Sequence, residues 1–254
     1  MAKVTVYITT CNRLELLKRC LDSIRNQTVK DIEIIVVDDN SSDGTTSYMR
    51  NMVLVDNRIK YIKNDKSMGA CYSRNTAIKL ATADFITGCD DDDYFEVSRI
   101  ESFYEQKQLL NKYAILYTDS LWLNGNLIRS AGINKFAKDE IDHDSLLYFN
   151  FIGNQVFCRT EVMHRYLFDD EMPAWQDLDL WYRILKGEHQ KAKRLKYFDY
   201  IQDIGHEYAR ISLSKEDKVK KAYLLFIKKY ALNKSERLIL RNHFFNYGMH
   251  GKEM

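Results

Sequence analysis

A chain of 254 residues, 45% hydrophobic and 13% aromatic, can build the core of one large α/β domain, with or without an appended segment. Its charges nearly cancel, to a formal +2, which argues against a nucleic-acid partner. Five scattered cysteines without a Cys-x-x-Cys pair disfavour a disulfide framework or structural zinc, and no apolar run is long enough to cross a bilayer.

The first residues run straight into Val4–Thr9, a buried strand, with no apolar leader before it. With the unpaired cysteines, this places the expected location in the cytoplasm. Thr9-Thr10-Cys11-Asn12-Arg13 forms the turn after the strand. A helix follows, with Leu14, Leu17, Leu21 and Ile24 on one face. A second strand, 32–37, ends at Asp38-Asp39-Asn40-Ser41-Ser42-Asp43-Gly44, a sequence suited to a strand-to-helix turn. A helix over 45–52, a strand over 58–62, a loop over 64–69 and a helix over 70–81 with Arg74 and Asn75 come next.

The fourth strand, Phe85-Ile86-Thr87, opens through a glycine and a cysteine onto Asp90-Asp91-Asp92-Asp93. Four adjacent carboxylates repel one another and call for a counter-charge. Such a cluster suits a hard divalent cation, whose ligands are oxygens; a solvated acidic loop is the plain alternative. Alternating strands and helices imply a mainly parallel sheet with helices on both faces. Ligands of such sheets bind beyond the carboxyl ends of the strands, where Thr9-Thr10, Asp38-Asp39 and Asp90–Asp93 all fall. No dinucleotide-binding Gly-x-Gly-x-x-Gly follows the first strand, and no P-loop is present.

The second half is less regular. A helix over 97–110 and a strand over 113–118 precede a hairpin at Asn124-Gly125-Asn126. A strand over 155–159 and a helix over 160–167 follow. A further helix spans 174–185, where Asp177 and Asp179 have an ordinary place near a helix N-terminus. Strand character returns over 195–204, and from 214 onward the chain is helical. Residues 213–254 carry ten basic residues against four acidic ones. This amphipathic tail either packs its apolar stripe on the domain, the favoured reading, or rests on anionic lipid.

These motifs together resemble the inverting family 2 glycosyltransferases of the GT-A fold, of the bacterial O-antigen and surface-polysaccharide type, through about Arg183. Val-Tyr-Ile-Thr-Thr-Cys-Asn-Arg is similar to the family's first strand and nucleotide-binding turn, and Val-Val-Asp-Asp-Asn-Ser-Ser-Asp-Gly-Thr to its second strand. Asn64–Asn75 is similar to the loop and helix beneath the diphosphate, and Asp90–Asp93 holds the Asp-x-Asp position. Trp175-Gln176-Asp177-Leu178-Asp179-Leu180-Trp181 is similar to the acceptor-side motif, with Gln176 where that motif usually has Glu.

The resemblance implies a GT-A domain over 1–212 and a helical extension over 213–254. It implies a UDP-sugar held by Thr9, Asn12, Arg13, Asp39, Asn64, Arg74, Asp90 and Asp91, with Asp39 on the uracil and Asp90 on the ribose. Mn2+ (or Mg2+) would be held by Asp92 and His206, Asp177 would be the base, and Asp93, Trp175, Gln176 and Arg210 would face the acceptor or the donor sugar. The implied reaction is transfer of glucose or galactose, with β-linkage, to a GlcNAc or GalNAc acceptor on polyprenyl diphosphate. That acceptor implies the cytoplasmic face of the inner membrane, with the tail as a possible peripheral contact. Two rivals remain from the residues alone: a nucleotidyltransferase, which needs a Gly-rich basic loop that Thr9–Arg13 is not, and a non-catalytic sugar-nucleotide or glycan-binding module.

Overall fold

The structure, a computed structural model, describes residues 2–208 and 216–249. Val4–Thr10 (β1) lies between two parallel neighbours, Ile32–Asp38 (β2) and Phe85–Asp90 (β4). Ile59–Lys63 (β3) adds in parallel outside β2. Strands enclosed on both faces read as unbroken apolar runs, as β1 and β2 do. Their side chains still alternate: Val4, Val6 and Ile8 enter one core layer and Tyr7 the other.

One layer is closed by Leu14–Arg25 (α1), through Leu17, Cys20, Leu21 and Ile24, and by Thr45–Val55 (α2), through Met49 and Met52. Ala70–Leu80 (α3) closes the other, through Cys71, Ala77 and Ile78. Tyr94–Phe95 (β5) follows the four aspartates and leads into Arg99–Glu105 (α4). The single helix expected over 97–110 breaks at Gln106, and a 3-10 turn, Lys107–Asn111, completes it.

Ile115–Asn124 (β6) outruns the strand expected over 113–118, because its outer half pairs with Leu127–Ser130 (β7) across the expected hairpin. Glu140–Ile141 (β8), Ser145–Tyr148 (α5), Phe157–Arg159 (β9), Thr160–Tyr166 (α6), Gln176–Glu188 (α7) and Ala192–Asp203 (β10) complete the body. The sheet order is β3-β2-β1-β4-β9-β6-β10-β5, with β7 on β6 and β8 on β10. Antiparallel β9 joins the parallel β3-β2-β1-β4 half to the parallel β6–β10 pair. The architecture is therefore mixed α/β, a central sheet flanked by helices.

The last described elements are Glu216–Lys229 (α8), Lys234–Leu240 (α9) and a 3-10 segment, Arg241–Tyr247. Val219, Ala222, Tyr223 and Phe226 of α8 are buried in the same core as Leu178, Trp181 and Tyr182 of α7, while Lys221 and Lys228 stay exposed. A buried ion cluster pins the two helices. Fully buried Asp179 accepts from Arg183 (2.9 Å), Lys229 (2.9 Å) and the Tyr230 hydroxyl (2.6 Å). Among the described residues no helix is long and apolar enough to cross a membrane.

Gly88 of β4 is required by space. A Cβ there would lie 2.1 Å from Gln155 Oε1 and 2.4 Å from the Tyr7 ring. Both neighbours belong to a chain in which the Tyr7 hydroxyl donates to Gln155 (3.2 Å) and Gln155 donates to Asp90 (3.0 Å). Gly88→Ala is expected to cost about 1–3 kcal/mol through overpacking, read as a lower denaturation midpoint with an unchanged slope.

Candidate active site

A cavity of about 650 Å³ opens at the carboxyl ends of β1, β2 and β4. Its size suits a small-molecule ligand. Thr9, Arg13, Asp39, Arg74 and all of Asp90–Asp93 line one side, and Trp175, Gln176 and Asp177 the other. The two groups are more than eighty positions apart in sequence. β9 and α7 bring them together.

The aspartates take four different environments. Asp90, Asp92 and Asp93 each turn a carboxylate oxygen inward, all within 4.8 Å of one another. Asp90 accepts from Arg74 (3.1 Å), Gln155 (3.0 Å) and Asn154 (2.8 Å). Asp93, expected toward the sugars, instead sits deep in the cluster. It accepts from the Tyr200 hydroxyl (2.7 Å) and the Asp203 N–H (3.1 Å), and burial beside Asp92 and Asp90 pushes its pKa well up. Asp91 is buried against Arg13 (2.9 Å); burial outweighs that pairing and raises its carboxyl to about 6. Asp92 is the more accessible of the last three, and Arg13 (3.1 Å) and His206 Nε2 (3.0 Å) meet on one of its oxygens. Arg19 fixes the loop from outside, bonding the Asp92 carbonyl and the Asp203 carboxylate, each at 2.6 Å.

Several residues take places other than those expected. Asn12, at positive φ, does not line the cavity: its backbone N–H donates to Ser41 and its side-chain oxygen accepts from Ser42, stitching two loops together. Asp39 does line it, yet its carboxylate accepts from Asn64, Ser67 and the Met68 and Gly69 N–H groups at 2.7–2.9 Å, and more distantly from Ser73. Burial works against its charge, but these donors prevail and hold its pKa low. Asn64 correspondingly turns onto Asp39 and Ser73, out of the cavity. Arg13 lies on the aspartates, and His206 stands behind Asp92, off the cavity wall. Arg210 lies outside the described residues.

On the facing wall, Trp175 adopts the left-handed conformation (φ 60°) and so delays the start of α7 to Gln176. Gln176 accepts from Arg74 (3.1 Å) and donates to the Met172 carbonyl. Arg74, almost wholly buried and over the Phe168 ring, therefore spans the cavity floor between Asp90 and the start of α7. Beside it stands Asp177. Burial drives the Asp177 pKa up to about 7, opposed by Arg74 and aided by Asp90, and its Oδ1 makes no hydrogen bond among the described residues. A carboxylate of that basicity, one oxygen unengaged, can take a proton near neutral pH. Trp181 is a core residue whose indole donates to the Gly153 carbonyl (2.9 Å).

Sequence reasoning missed Asn154 and Gln155, which hold Asp90, and His243 and Tyr247 of the last 3-10 segment, which line the cavity. Trp122 and Gln202 also line it, joined by a 2.9 Å hydrogen bond.

Comparison with known proteins gives the family and the fold. The family described as glycosyl transferase family 2 matches residues 5–118. A relative from Escherichia coli K12, named "Putative colanic acid biosynthesis glycosyl transferase WcaA", is 34% identical over 212 residues, covering 83% of this chain and 76% of that one. The chain belongs to glycosyltransferase family 2. This glycosyltransferase is also 32% identical to the Campylobacter jejuni GalNAc(5)-diNAcBac-PP-undecaprenol beta-1,3-glucosyltransferase, over 73% of this chain but 60% of that one. It is 31% identical to the Escherichia coli UDP-Glc:alpha-D-GlcNAc-diphosphoundecaprenol beta-1,3-glucosyltransferase WfgD, over 74% of this chain and 72% of that one. Among solved structures, Staphylococcus aureus TarS 1-349 in complex with UDP-GlcNAc superposes with a TM-score of 0.73 at 18% identity, covering 96% of this chain and 72% of that one. The fold is GT-A.

Proposed function

We propose that this glycosyltransferase is a cation-dependent, inverting hexosyltransferase that moves glucose or galactose from a UDP-sugar to a saccharide acceptor on polyprenyl diphosphate. One observation carries the reading: a cavity with three converging carboxylates on one wall and, on the other, the Asp177 carboxylate, whose Oδ1 makes no hydrogen bond among the described residues. The names of the two glucosyltransferase relatives support the donor and acceptor classes. In the tail, Val219, Ala222, Tyr223 and Phe226 are buried against the domain, while Leu224, Leu238 and Phe245 stay exposed.

Asp90, Asp92 and Asp93 would hold the cation, and an all-oxygen set with His206 close by fits Mn2+ or Mg2+. Bound there, the ion supplies Lewis-acid stabilisation of the charge growing on the departing diphosphate. Arg74 contributes fixed positive charge on the same floor, its guanidinium held in place by Asp90 and Gln176. Thr9, Arg13 and Asp91 line the donor side, and the Asp39-anchored loop forms its edge. Asp177 accepts the acceptor hydroxyl's proton as that oxygen attacks the anomeric carbon opposite the leaving UDP. One displacement inverts the centre, so an α-linked donor gives a β-linked product.

The test is a panel of UDP-sugars with Mn2+, following UDP release. One hexose donor should be hydrolysed at least tenfold faster than the rest. No release from any donor, with UDP bound tightly, would instead support a binding module.

A further inference from the structure

From the cavity wall to the converging carboxylates runs a chain of three hydrogen bonds. Trp122 of β6 and Gln202 of β10 are paired across neighbouring parallel strands, and both line the cavity. The Trp122 indole Nε1 donates to Gln202 Oε1 (2.9 Å), Gln202 Nε2 donates to Asn154 Oδ1 (3.1 Å), and Asn154 Nδ2 donates to Asp90 Oδ2 (2.8 Å). The same amide nitrogen also reaches Asp93 Oδ2 and the Tyr200 hydroxyl, each at 3.3 Å. One amide thus bridges two of the three carboxylates that meet within 4.8 Å.

The chemistry of the first link sets the direction of the rest. An indole N–H can only donate, so the Gln202 carbonyl must face it and the Gln202 nitrogen must face Asn154. That aims the Asn154 NH2 at the aspartates; with the amide turned over, its carbonyl would stand against their oxygens. Two amides that could each reverse are therefore fixed by a partner that cannot. The indole is itself held in place. A Cβ on Gly132 would come within 2.9 Å of its ring, and the Arg129 guanidinium lies over it at 5.6 Å. At the far end, the Gly153 carbonyl accepts from the Trp181 indole of α7 (2.9 Å), which pins the backbone beside Asn154. Neighbouring carboxylates repel one another, and N–H groups fixed between them hold their spacing. Outer partners that orient ligating carboxylates typically change metal affinity by about 10–100-fold when removed.

We propose that Trp122, Gln202 and Asn154 are positioning residues for the cation site: a one-way chain of hydrogen bonds that sets the spacing of Asp90 and Asp93 for a divalent ion. They act through the aspartates. This rests on the cation-dependent reading and deepens it, because part of the ion's affinity then comes from the β6–β7 hairpin, from β10 and from the stretch before β9, all remote in sequence from the four aspartates.

The experiment titrates Mn2+ into the full chain holding one equivalent of UDP, by calorimetry, and measures the Kd for UDP separately without metal. Asn154→Ala should weaken Mn2+ by about tenfold or more. Gln202→Met, which keeps the side chain's length and removes its amide, should cause a measurable part of that loss. The double variant should be no weaker than Asn154→Ala alone, because Gln202 has nothing left to orient once the Asn154 amide is gone. The metal-free Kd for UDP should stay at the wild-type value. If either single variant binds Mn2+ as the wild type does, or if the two losses multiply, the positioning chain is overturned while the cation reading stands. A loss of metal-free UDP binding in Gln202→Met, the milder change, would mark the chain as merely structural and overturn it too. If the wild type with UDP takes up no Mn2+, the cation-dependent reading itself fails.

Discussion

Asp177→Asn should reduce transfer by about 10²–10⁴-fold, the range that a positioned general base contributes, while leaving UDP affinity close to unchanged. Asparagine keeps the shape and removes the basic oxygen. The pH dependence gives a second, independent reading. With the carboxyl raised to about 7, the active, deprotonated form is lost as pH falls, so kcat/KM should drop about tenfold per unit below that point and level off above it. Stability should move the other way. A carboxyl whose folded pKa is raised above its unfolded value binds more protons folded than unfolded between about 3.8 and about 7. Stability conferred by the wild-type side chain therefore falls as pH rises through that window. Asp177→Asn should accordingly raise the melting temperature at pH 8, relative to the wild type, and lose that advantage at pH 4. A variant that is slower yet more stable at high pH is the signature of a group placed for chemistry at the expense of folding. A purely structural Asp177 would give the opposite stability result.

Asp92→Ala has the second large expected effect. Of the three converging carboxylates, Asp90 is committed to Arg74, Gln155 and Asn154, and Asp93 to Tyr200 and the Asp203 backbone. Among the described residues, the Asp92 carboxylate is held from its edge, by Arg13 and His206 on one oxygen. Its removal should abolish Mn2+-stimulated UDP release, a loss of about 10²-fold or more, if Asp92 is one of the carboxylates that would hold the ion. The fold should survive, because the Asp92 side chain is among the least buried of the cluster and the loop keeps the Arg19 bond to its backbone carbonyl. Circular dichroism and UDP binding without metal should look like the wild type.

How far the sequence reveals this site depends on the kind of contact. The donor side is legible because a strand buried on both faces reads as an apolar run, and the aspartates that end such runs must lie on the sheet's rim. The stripe of α1 and the turn at Gly125-Asn126 are legible for the same reason: periodicity and turn chemistry are local. The partners of Asp39 are not, because most of its donors belong to a loop whose path no pattern specifies, and two of them are backbone N–H groups. Asn12 misleads likewise; its positive φ turns its side chain to the neighbouring loop. Asn154 and Gln155 are two amides in an irregular stretch, and only the antiparallel insertion of β9 beside β4 aims them at Asp90. His243 and Tyr247 reach the cavity through the Asp179–Lys229–Tyr230 cluster and the apolar stripe of α8, tertiary contacts that leave no local trace.

The central claim is that the carboxylates of Asp90, Asp92 and Asp93 receive a cation that faces Asp177 across one cavity. Anomalous diffraction from crystals grown with UDP and Mn2+ tests it most directly. The account predicts a single manganese peak against Asp92, touching the diphosphate, with the Asp177 carboxylate across the open space where the donor sugar would lie. A manganese peak away from these three aspartates, or an Asp177 side chain turned into the protein and away from the nucleotide, would contradict it.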